Sequence, residues 1–133
     1  MPPSRDEIQS TLARFVSETR GVEEDDCVPE ATLFEALRLE SIDFLEISIR
    51  IDEEWGFPYP TDDLGRAFNQ INENSTSEDI MTALAILTDD FYIEVPDDLE
   101  GVDPLDIRAL DRSVRDLITF GSLVTFVEQT LTT

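Results

Sequence analysis

The chain contains no histidine, no lysine and only one cysteine, Cys27, among its 133 residues. Histidine is the commonest general base, and lysine supplies Schiff-base amines and the phosphate-binding cation of P-loops, so chemistry that depends on either residue is excluded. A single cysteine can form neither an internal disulfide nor a thiolate zinc cluster. Because Cys27 follows the acidic run 23–26, its neighbours disfavour a nucleophilic thiolate. These absences argue against an enzyme and against a metal site.

Positive charge is also scarce, since nine arginines oppose 31 acidic residues and the net charge is −22. A field of this sign repels nucleic acid and anionic lipid and attracts proteins with basic patches, although solubility alone is an alternative explanation. The longest apolar run, residues 83–87, is too short to span a bilayer, and the N-terminus lacks the apolar segment of a secretion signal. We therefore expect a cytoplasmic protein that binds neither nucleic acid nor membranes.

Apolar residues at helical spacing predict an all-α fold. Ser4 and Glu7 form a capping box for a first helix over about residues 5–20, and a second helix is expected over about residues 41–55. Similar patterns predict helices in residues 61–72, in residues 78–91 and near the C-terminus. No segment is a confident strand, because the alternating stretch 92–95 is short and isolated. The length suits one domain over residues 1–133.

Two stretches leave alternatives open. Gly121 lies inside the last apolar pattern, so the final helix either includes Val114 or starts after Thr119. Residues 21–40 form a long connection, which a small domain tolerates only where its apolar side chains pack onto the bundle. Those side chains are Val28, Leu33, Phe34 and Leu37, and a short helical turn over residues 33–37 is one way to place them.

The second helix has more apolar surface than contact with a core requires. One stripe consists of Phe44, Ile47, Ile51 and Trp55. A second stripe consists of Ile42, Leu45 and Ile49, interleaved with Asp43, Glu46 and Glu53. One stripe is enough to seat a helix on a core, so the second indicates a docking surface for partners with basic rims. The alternative is that an inserted part of the chain covers it.

Residues 31–60 combine the loop 31–37, the tripeptide Glu40-Ser41-Ile42 and the acidic second helix. In this order they resemble the acyl carrier protein family, in which a similar loop precedes the attachment site and its Asp-Ser-Leu signature. The second helix is acidic where the family's is, at Asp43, Glu46, Asp52, Glu53 and Glu54, and Trp55 takes the place of its closing aromatic residue. Residues 119–128 resemble the family's last helix.

The resemblance implies a fold, a cofactor and partners. The fold would be an acyl-carrier-like four-helix bundle, and because the chain is longer than ordinary members, we expect an inserted helical segment over about residues 61–112. Ser41 would carry a 4′-phosphopantetheine arm, on which acyl groups are held as thioesters. The implied partners are a phosphopantetheinyl transferase and acyl-transferring or acyl-modifying enzymes with basic patches. The residues expected to contact them are Glu40, Ile42, Asp43, Glu46, Ile49, Asp52 and Glu53.

Two departures from the family pattern lie next to the attachment site. Glu40 replaces the usual Asp, and Arg38 replaces a common Gly, which points either to a dedicated transferase or to loss of the modification. The main alternative function is therefore an unmodified, acidic carrier-like adaptor. Ser41 is otherwise an ordinary N-cap, and with Phe44 rather than an acid three residues later it would lack a capping box. Calcium binding is disfavoured, because no loop has acids at the required alternate positions.

Overall fold

The structure, a computed structural model, describes residues 3–72, 74–95 and 112–132. The α-helices of the described chain are α1 (Arg5–Arg20), α2 (Ser41–Trp55), α3 (Thr61–Asn69), α4 (Ser77–Phe91) and, labelled α5 here, Phe120–Thr132, with a 3₁₀ helix at Glu24–Asp26. Residues 112–115 are also helical. Within the described ranges, strand-like pairing is limited to an isolated antiparallel bridge between Thr32 and Thr119. The predicted all-α class is confirmed.

The first helix begins and ends at the residues that the sequence indicates. Ser4 Oγ accepts a hydrogen bond from the backbone N–H of Glu7 over 3.2 Å, which satisfies one donor of the first turn. At the other end, Gly21 takes a left-handed conformation with φ +80° and donates to Ser17 O over 2.7 Å. Such a C-terminal turn favours glycine because glycine lacks a Cβ that would clash there.

The core forms where α1 packs on both α2 and α5. Each of these helices contributes one apolar face, as the 3.6-residue periodicity requires. The buried side chains include Ile8, Leu12 and Val16 of α1, Phe44, Ile47 and Ile51 of α2, and Leu123, Val124 and Val127 of α5. Removal of this apolar surface from water is the main favourable term in folding. None of the helices in the described part of the chain has both the length and the apolar character needed to cross a membrane.

Helices α3 and α4 pack against each other, and they join the core through α2 and α5 respectively. Thr76 and Asp79 cap α4 reciprocally: Thr76 Oγ1 accepts from Asp79 N over 3.2 Å, and Asp79 Oδ2 accepts from Thr76 N over 3.0 Å. Rings of Tyr59, Phe91 and Phe126 meet at centroid distances of 5.0 to 6.2 Å. The helical pair is therefore continuous with the core. The remainder of the predicted insertion, residues 96–111, lies outside the described residues.

The long connection between α1 and α2 is tied to the segment before α5. Leu33 N donates to Ile118 O over 2.9 Å, and Phe120 N donates to Ala31 O over 2.8 Å. Leu33 and Leu37 are buried, and Phe34 packs partly buried against the core, as expected. Val28 differs, since 39% of it is exposed. Residues 33–36 form hydrogen-bonded turns rather than a helix, because Leu37 N bonds back to Thr32 O.

The start of α5 agrees with the second of the two alternatives, a helix that begins after Thr119. Thr119 Oγ1 accepts from Ser122 N over 3.1 Å, and Ser122 Oγ accepts from Thr119 N over 3.0 Å. Gly121 is needed in the first turn because Pro29 lies against it. Gly121 N donates to Pro29 O over 2.9 Å, and a Cβ at Gly121 would stand 2.9 Å from that oxygen and 3.2 Å from Pro29 Cβ.

Replacing Gly121 by alanine should therefore destabilise the protein by about 1–3 kcal/mol, the usual cost of overpacking. The atom in the way belongs to the backbone, so the connection must shift to make room. Gly65→Ala in α3 is the matched control, because a Cβ there meets nothing within 4 Å and should stabilise the helix by about 0.5–1 kcal/mol. Urea unfolding of both variants measures the two effects. Equal stability of the two variants would contradict the close approach to Pro29.

Candidate functional site

The start of α2 is organised by two acids that flank Ser41. Glu40 is the N-cap, with extended backbone angles, and Ser41 is the first helical residue. The carboxylate of Asp43 accepts a hydrogen bond from Glu40 N over 2.8 Å and lies 3.9 Å from Arg20 of α1. The helix thus begins one residue earlier than the N-cap interpretation of Ser41 assumed, and Asp43, rather than Phe44, is three residues past the cap.

Asp43, one of the predicted partner contacts, is buried at the start of α2. Only 7% of the residue is exposed, and its carboxylate contacts the backbone N–H of Glu40 at the start of α2 and the guanidinium of Arg20. An acid at this position compensates the positive end of the helix dipole and the unsatisfied N–H groups of the first turn. Its role is therefore to fix the start of α2, and the sequence missed this because the cap was placed at Ser41.

The side chain of Ser41 is accessible to solvent. The residue is exposed, and within the described part of the chain its hydroxyl makes no hydrogen bond. The first turn of a helix presents free backbone N–H groups and a partial positive charge, both of which favour an attached or bound phosphate. Ser41 is therefore positioned so that a modifying enzyme can reach it.

Arg38, three residues before Ser41, has the left-handed backbone conformation with φ +56°. This conformation is costly for a residue with a Cβ and is the usual reason for glycine at such a position. Glycine, common there in the family that the sequence resembles, would fit this backbone without strain. Arg38 is exposed, so a solvent-accessible cation occupies this strained backbone position.

The strain at Arg38 predicts that Arg38→Gly is stabilising. Release of the left-handed conformation removes a strain of about 1–2 kcal/mol, and the larger entropy of glycine in the unfolded chain costs about 0.4–1 kcal/mol, so the net gain is about 0–1.6 kcal/mol. Arg38→Ala is the control, because alanine keeps the Cβ and hence the strain. Thermal unfolding compares the two variants with the parent chain. A stability of Arg38→Gly below that of Arg38→Ala would contradict the strain, because the two variants differ only in the Cβ at this position.

A cavity of about 340 Å³ opens beside Ser41, between α2 and α3. We call it the α2–α3 pocket. Its apolar wall consists of Phe34, Phe44, Leu45, Leu64 and Phe68, and its polar side consists of Ser41, Thr61, Asp62, Asn69 and Arg115, with Gly65 between them. The first residues of both helices reach the same space. A group attached to Ser41 would therefore lie next to an apolar pocket.

Three residues from distant parts of the sequence close one side of the α2–α3 pocket. The rings of Phe34 and Phe68 lie 5.4 Å apart at 73°, and the guanidinium of Arg115 lies 4.5 Å from the centre of Phe68 and 5.1 Å from that of Phe34. Cation–π attraction of this kind favours a fixed arginine position. Sequence reasoning did not select Phe68 or Arg115 as site residues, because no local pattern signals that the three segments meet.

The outer face of α2 carries the second apolar stripe. Ile42 is 71% exposed, Leu45 53% and Ile49 54%. The helices α3 and α4, which are the described part of the predicted insertion, therefore do not cover it. Of the acids predicted as contacts, Glu40, Glu46, Asp52 and Glu53 are all exposed. We call these seven residues, Glu40, Ile42, Leu45, Glu46, Ile49, Asp52 and Glu53, the α2 outer face.

The acids of the α2 outer face are not equally available. Glu46 pairs with Arg50 over 3.3 Å, and Arg50 also pairs with Glu18 of α1. The guanidinium of Arg50 lies 5.8 Å from the ring centre of Phe15. The hydrogen bonds that Arg50 donates to Glu18 and Glu46 raise the pKa of Arg50, so it stays charged and partly offsets Glu46. Asp52 and Glu53 have no ion pair among the described residues, so no cation there offsets them.

Cys27 lies away from this surface. Burial, with the carboxylates of Asp26 and Glu24 close by, raises the pKa of its thiol to about 11. The thiol is thus neutral at ordinary pH, and a neutral thiol is a poor nucleophile. No group of three or more potential metal ligands occurs in the described ranges.

The raised pKa of Cys27 makes stability fall at alkaline pH. In the unfolded chain a thiol ionises near pH 8.5 or so, whereas the folded chain keeps its proton until about pH 11. Between these values the unfolded state binds fewer protons, so the free energy of unfolding declines as pH rises. Cys27→Ala should show a shallower decline in urea unfolding between pH 9 and 11 or so. Burial also raises the pKa of Tyr59, so part of the decline remains; identical pH profiles would contradict the assignment.

Comparison with known proteins identifies several acyl carriers that are similar to part of this chain. The meromycolate extension acyl carrier protein of Mycobacterium tuberculosis is 28% identical over 64 residues, which cover 48% of this chain and 56% of that protein. The protein of the same name from Mycolicibacterium aurum is 30% identical over 64 residues, or 48% of this chain and 66% of the relative. The acyl carrier protein AcpXL of Mesorhizobium japonicum is 29% identical over 68 residues, or 51% and 70%.

These similarities are confined to part of each protein. The chain spans a little over half the length of the Mycobacterium tuberculosis relative, 56%. No family model matches the chain, and no solved structure gives a significant match.

Proposed function

We propose, from the premise that this chain belongs to the acyl carrier protein family, that it carries acyl groups as thioesters on a 4′-phosphopantetheine arm attached to Ser41. The observation that carries the proposal is the position of Ser41. Its side chain is exposed in the first turn of α2, and it lines the mouth of an apolar pocket. One hydroxyl is thus accessible to a modifying enzyme and adjacent to a space that suits an acyl chain.

The covalent step uses a transferase, which supplies the base, and coenzyme A, which supplies the phosphopantetheinyl group. The Ser41 hydroxyl gives its proton to the base of the transferase, and Oγ forms a bond to the phosphorus next to pantetheine. The phosphoanhydride bond of coenzyme A breaks, and adenosine 3′,5′-bisphosphate leaves. The phosphodiester then lies at the N-terminus of α2, where the backbone N–H groups and the helix dipole favour its charge.

While a partner enzyme is bound, the arm holds the acyl group within the same complex, so its transfer to the partner's active site is effectively intramolecular. A tethered thioester reaches a partner's active site at a high effective concentration, which depends on the length and stiffness of the tether. Between transfers, the apolar wall of the α2–α3 pocket, which includes Phe44 and Leu64, can shelter an acyl chain from water. A flexible tether for delivery and a pocket for protection of the acyl chain suit a carrier rather than an enzyme.

The α2 outer face is the proposed docking surface for the transferase and for acyl-transferring or acyl-modifying enzymes. Its three exposed apolar side chains give area for burial, and Asp52 and Glu53 attract a basic rim. Glu40 and Glu46 are further contacts, whereas Asp43 is left out because it is buried. Fatty acid, polyketide, lipid A and peptide-type pathways all employ such carriers, and a cytoplasmic location stays a prediction from the sequence.

The direct test is the mass of the protein after treatment with coenzyme A and each of several phosphopantetheinyl transferases. The proposal predicts a gain of one phosphopantetheinyl group, and peptide mapping should place it on Ser41. A mass that stays unchanged with every transferase, together with retained binding of partner enzymes, would support the unmodified adaptor instead. A modification on another serine would contradict the assignment of the site.

A further inference from the structure

We propose that Gly65 keeps the α2–α3 pocket open for the acyl chain, so that the missing side chain at this position decides whether the cargo can enter. The inference rests on the proposed function, since the acyl chain reaches the pocket on the arm attached to Ser41. It goes further by naming a specificity-determining residue on α3, which was not among the predicted site residues.

Gly65 lies in the middle of the face that α3 turns toward the pocket. The residues of α3 that line the cavity are Thr61, Asp62, Leu64, Gly65, Phe68 and Asn69. Residues three or four positions apart lie on the same side of an α-helix, so Gly65 is a neighbour of Thr61 on one side and of Phe68 on the other. A side chain at position 65 would therefore begin at the wall of the cavity and occupy part of it.

The fold itself gives no reason for a glycine at position 65. Gly65 does not have the positive φ that favours glycine at Gly21 and Gly56. A Cβ at Gly65 would meet no atom of the described residues within 4 Å, in contrast to a Cβ at Gly121. Glycine inside a helix is also less favourable than any residue except proline. A side chain here would thus stabilise α3, and what the glycine provides instead is open space in the pocket.

The aromatic wall of the pocket consists of rings that contact one another. The ring centre of Phe34 lies 5.1 Å from that of Phe44 and 5.4 Å from that of Phe68. Phe44 is buried, and its ring also stacks on Tyr59 at a centroid distance of 6.4 Å. Rings packed in this way cannot move aside without loss of these contacts. Room for an acyl chain therefore depends on the part of the wall without rings, where Gly65 lies.

The size of the pocket indicates an apolar acyl chain of medium length. The cavity of about 340 Å³ is at the lower end of the range of about 300–1,000 Å³ for pockets that hold small ligands. Ser41 and Thr61, the first residues of α2 and α3, both line it, so a chain on the arm would enter from this end. An octanoyl group is therefore the probe for the experiment.

The experiment measures how octanoylation changes the stability of the full chain with different residues at position 65. A transferase prepares the holo form from coenzyme A and the octanoyl form from octanoyl-coenzyme A, and mass spectrometry confirms both. We expect the octanoyl form of the parent chain to melt about 3 °C above the holo form, because the acyl chain is buried. Gly65→Leu should reduce this gain to less than about 1 °C, and Gly65→Ala should give an intermediate value.

Obstruction of the pocket can be distinguished from damage to the fold. Gly65→Leu should raise the melting temperature of the holo form by about 2–4 °C, because leucine favours a helix more than glycine does. Ala85→Leu on α4 is the matched control, since Ala85 is exposed on a helix and does not line the pocket. It should keep the gain of the parent chain. Gly65→Met, whose unbranched side chain is more adaptable, replaces Gly65→Leu if that variant does not fold.

Retention on a hydrophobic interaction column is a second measurement that does not depend on stability. The octanoyl and holo forms of the parent chain should elute close together, whereas the octanoyl form of Gly65→Leu should elute later than its own holo form. Equal melting gains and equal retention differences in the two proteins would overturn the inference. A parent chain that accepts octanoyl without any melting gain overturns it as well, although the proposed function then stands. Absence of any mass gain with coenzyme A refutes the proposed function and the inference together.

Discussion

Ser41→Ala should reduce phosphopantetheine loading to background while leaving the stability within about 0.5 kcal/mol of the parent chain. The hydroxyl is exposed and makes no hydrogen bond within the described residues, so its removal breaks no contact. The N-cap of α2 is Glu40, and the hydrogen bond from Glu40 N to Asp43 remains in the variant. Only the covalent attachment depends on the oxygen. Mass spectrometry measures loading, and urea unfolding measures stability.

Ser48→Ala on the same helix is the matched control with the opposite pattern. Ser48 is buried, and its hydroxyl donates a hydrogen bond to Tyr59 O over 2.8 Å, which holds the loop after α2 against the helix. Loss of that donor removes one of two hydrogen bonds to Tyr59 O, which still accepts from Thr61 N over 2.8 Å, and should cost about 0.5–1.5 kcal/mol. Loading should persist, because Ser41 is unchanged. A Ser41→Ala variant that still gains the arm, or that unfolds as readily as Ser48→Ala, would contradict the assignment of Ser41.

The sequence alone predicted those helices whose caps and apolar spacing lie within one continuous segment. The capping residue Ser4, the terminal Gly21 and the apolar spacing of α1 lie within one helix, and the structure confirms its bounds at Arg5 and Arg20. The same holds for α2 and α4, whose ends match the expected ones closely. The exposure of Ile42 and Ile49 could likewise be anticipated, because one apolar stripe already accounted for the core contact.

What the sequence did not reveal depends on contacts between distant segments. Gly121 looked like a weakness in a helix, yet it is required by the approach of Pro29, which is 92 residues away in sequence (121 minus 29). The sequence suggested that Asp43 is a surface acid, yet it is buried and contacts Arg20 and the backbone at the start of α2. The wall of the α2–α3 pocket combines Phe34, Phe68 and Arg115. No periodicity in a single sequence encodes which of these residues meet.

The two kinds of side chain on the α2 outer face should affect partner binding in different ways. Ile42→Ala or Ile49→Ala should weaken the binding of a transferase or acyl enzyme about tenfold, which corresponds to about 1.4 kcal/mol. Both side chains are more than half exposed, so neither variant should lose stability. Met81→Ala on α4 is the control: this side chain is 67% exposed and apolar, but it lies outside the α2 outer face. It should bind partners as the parent chain does.

Charge should act mainly on the rate of association. Glu53→Gln should slow association and reduce its dependence on salt, because Glu53 is exposed and has no ion pair among the described residues. Glu46→Gln should have a smaller effect, since Arg50 already offsets that charge. Raising the ionic strength from about 0.05 M to about 0.5 M shortens the screening length several-fold and should weaken binding of the parent chain. Surface plasmon resonance separates the two rates, and an affinity that is independent of salt would leave the apolar stripe as the only determinant of docking.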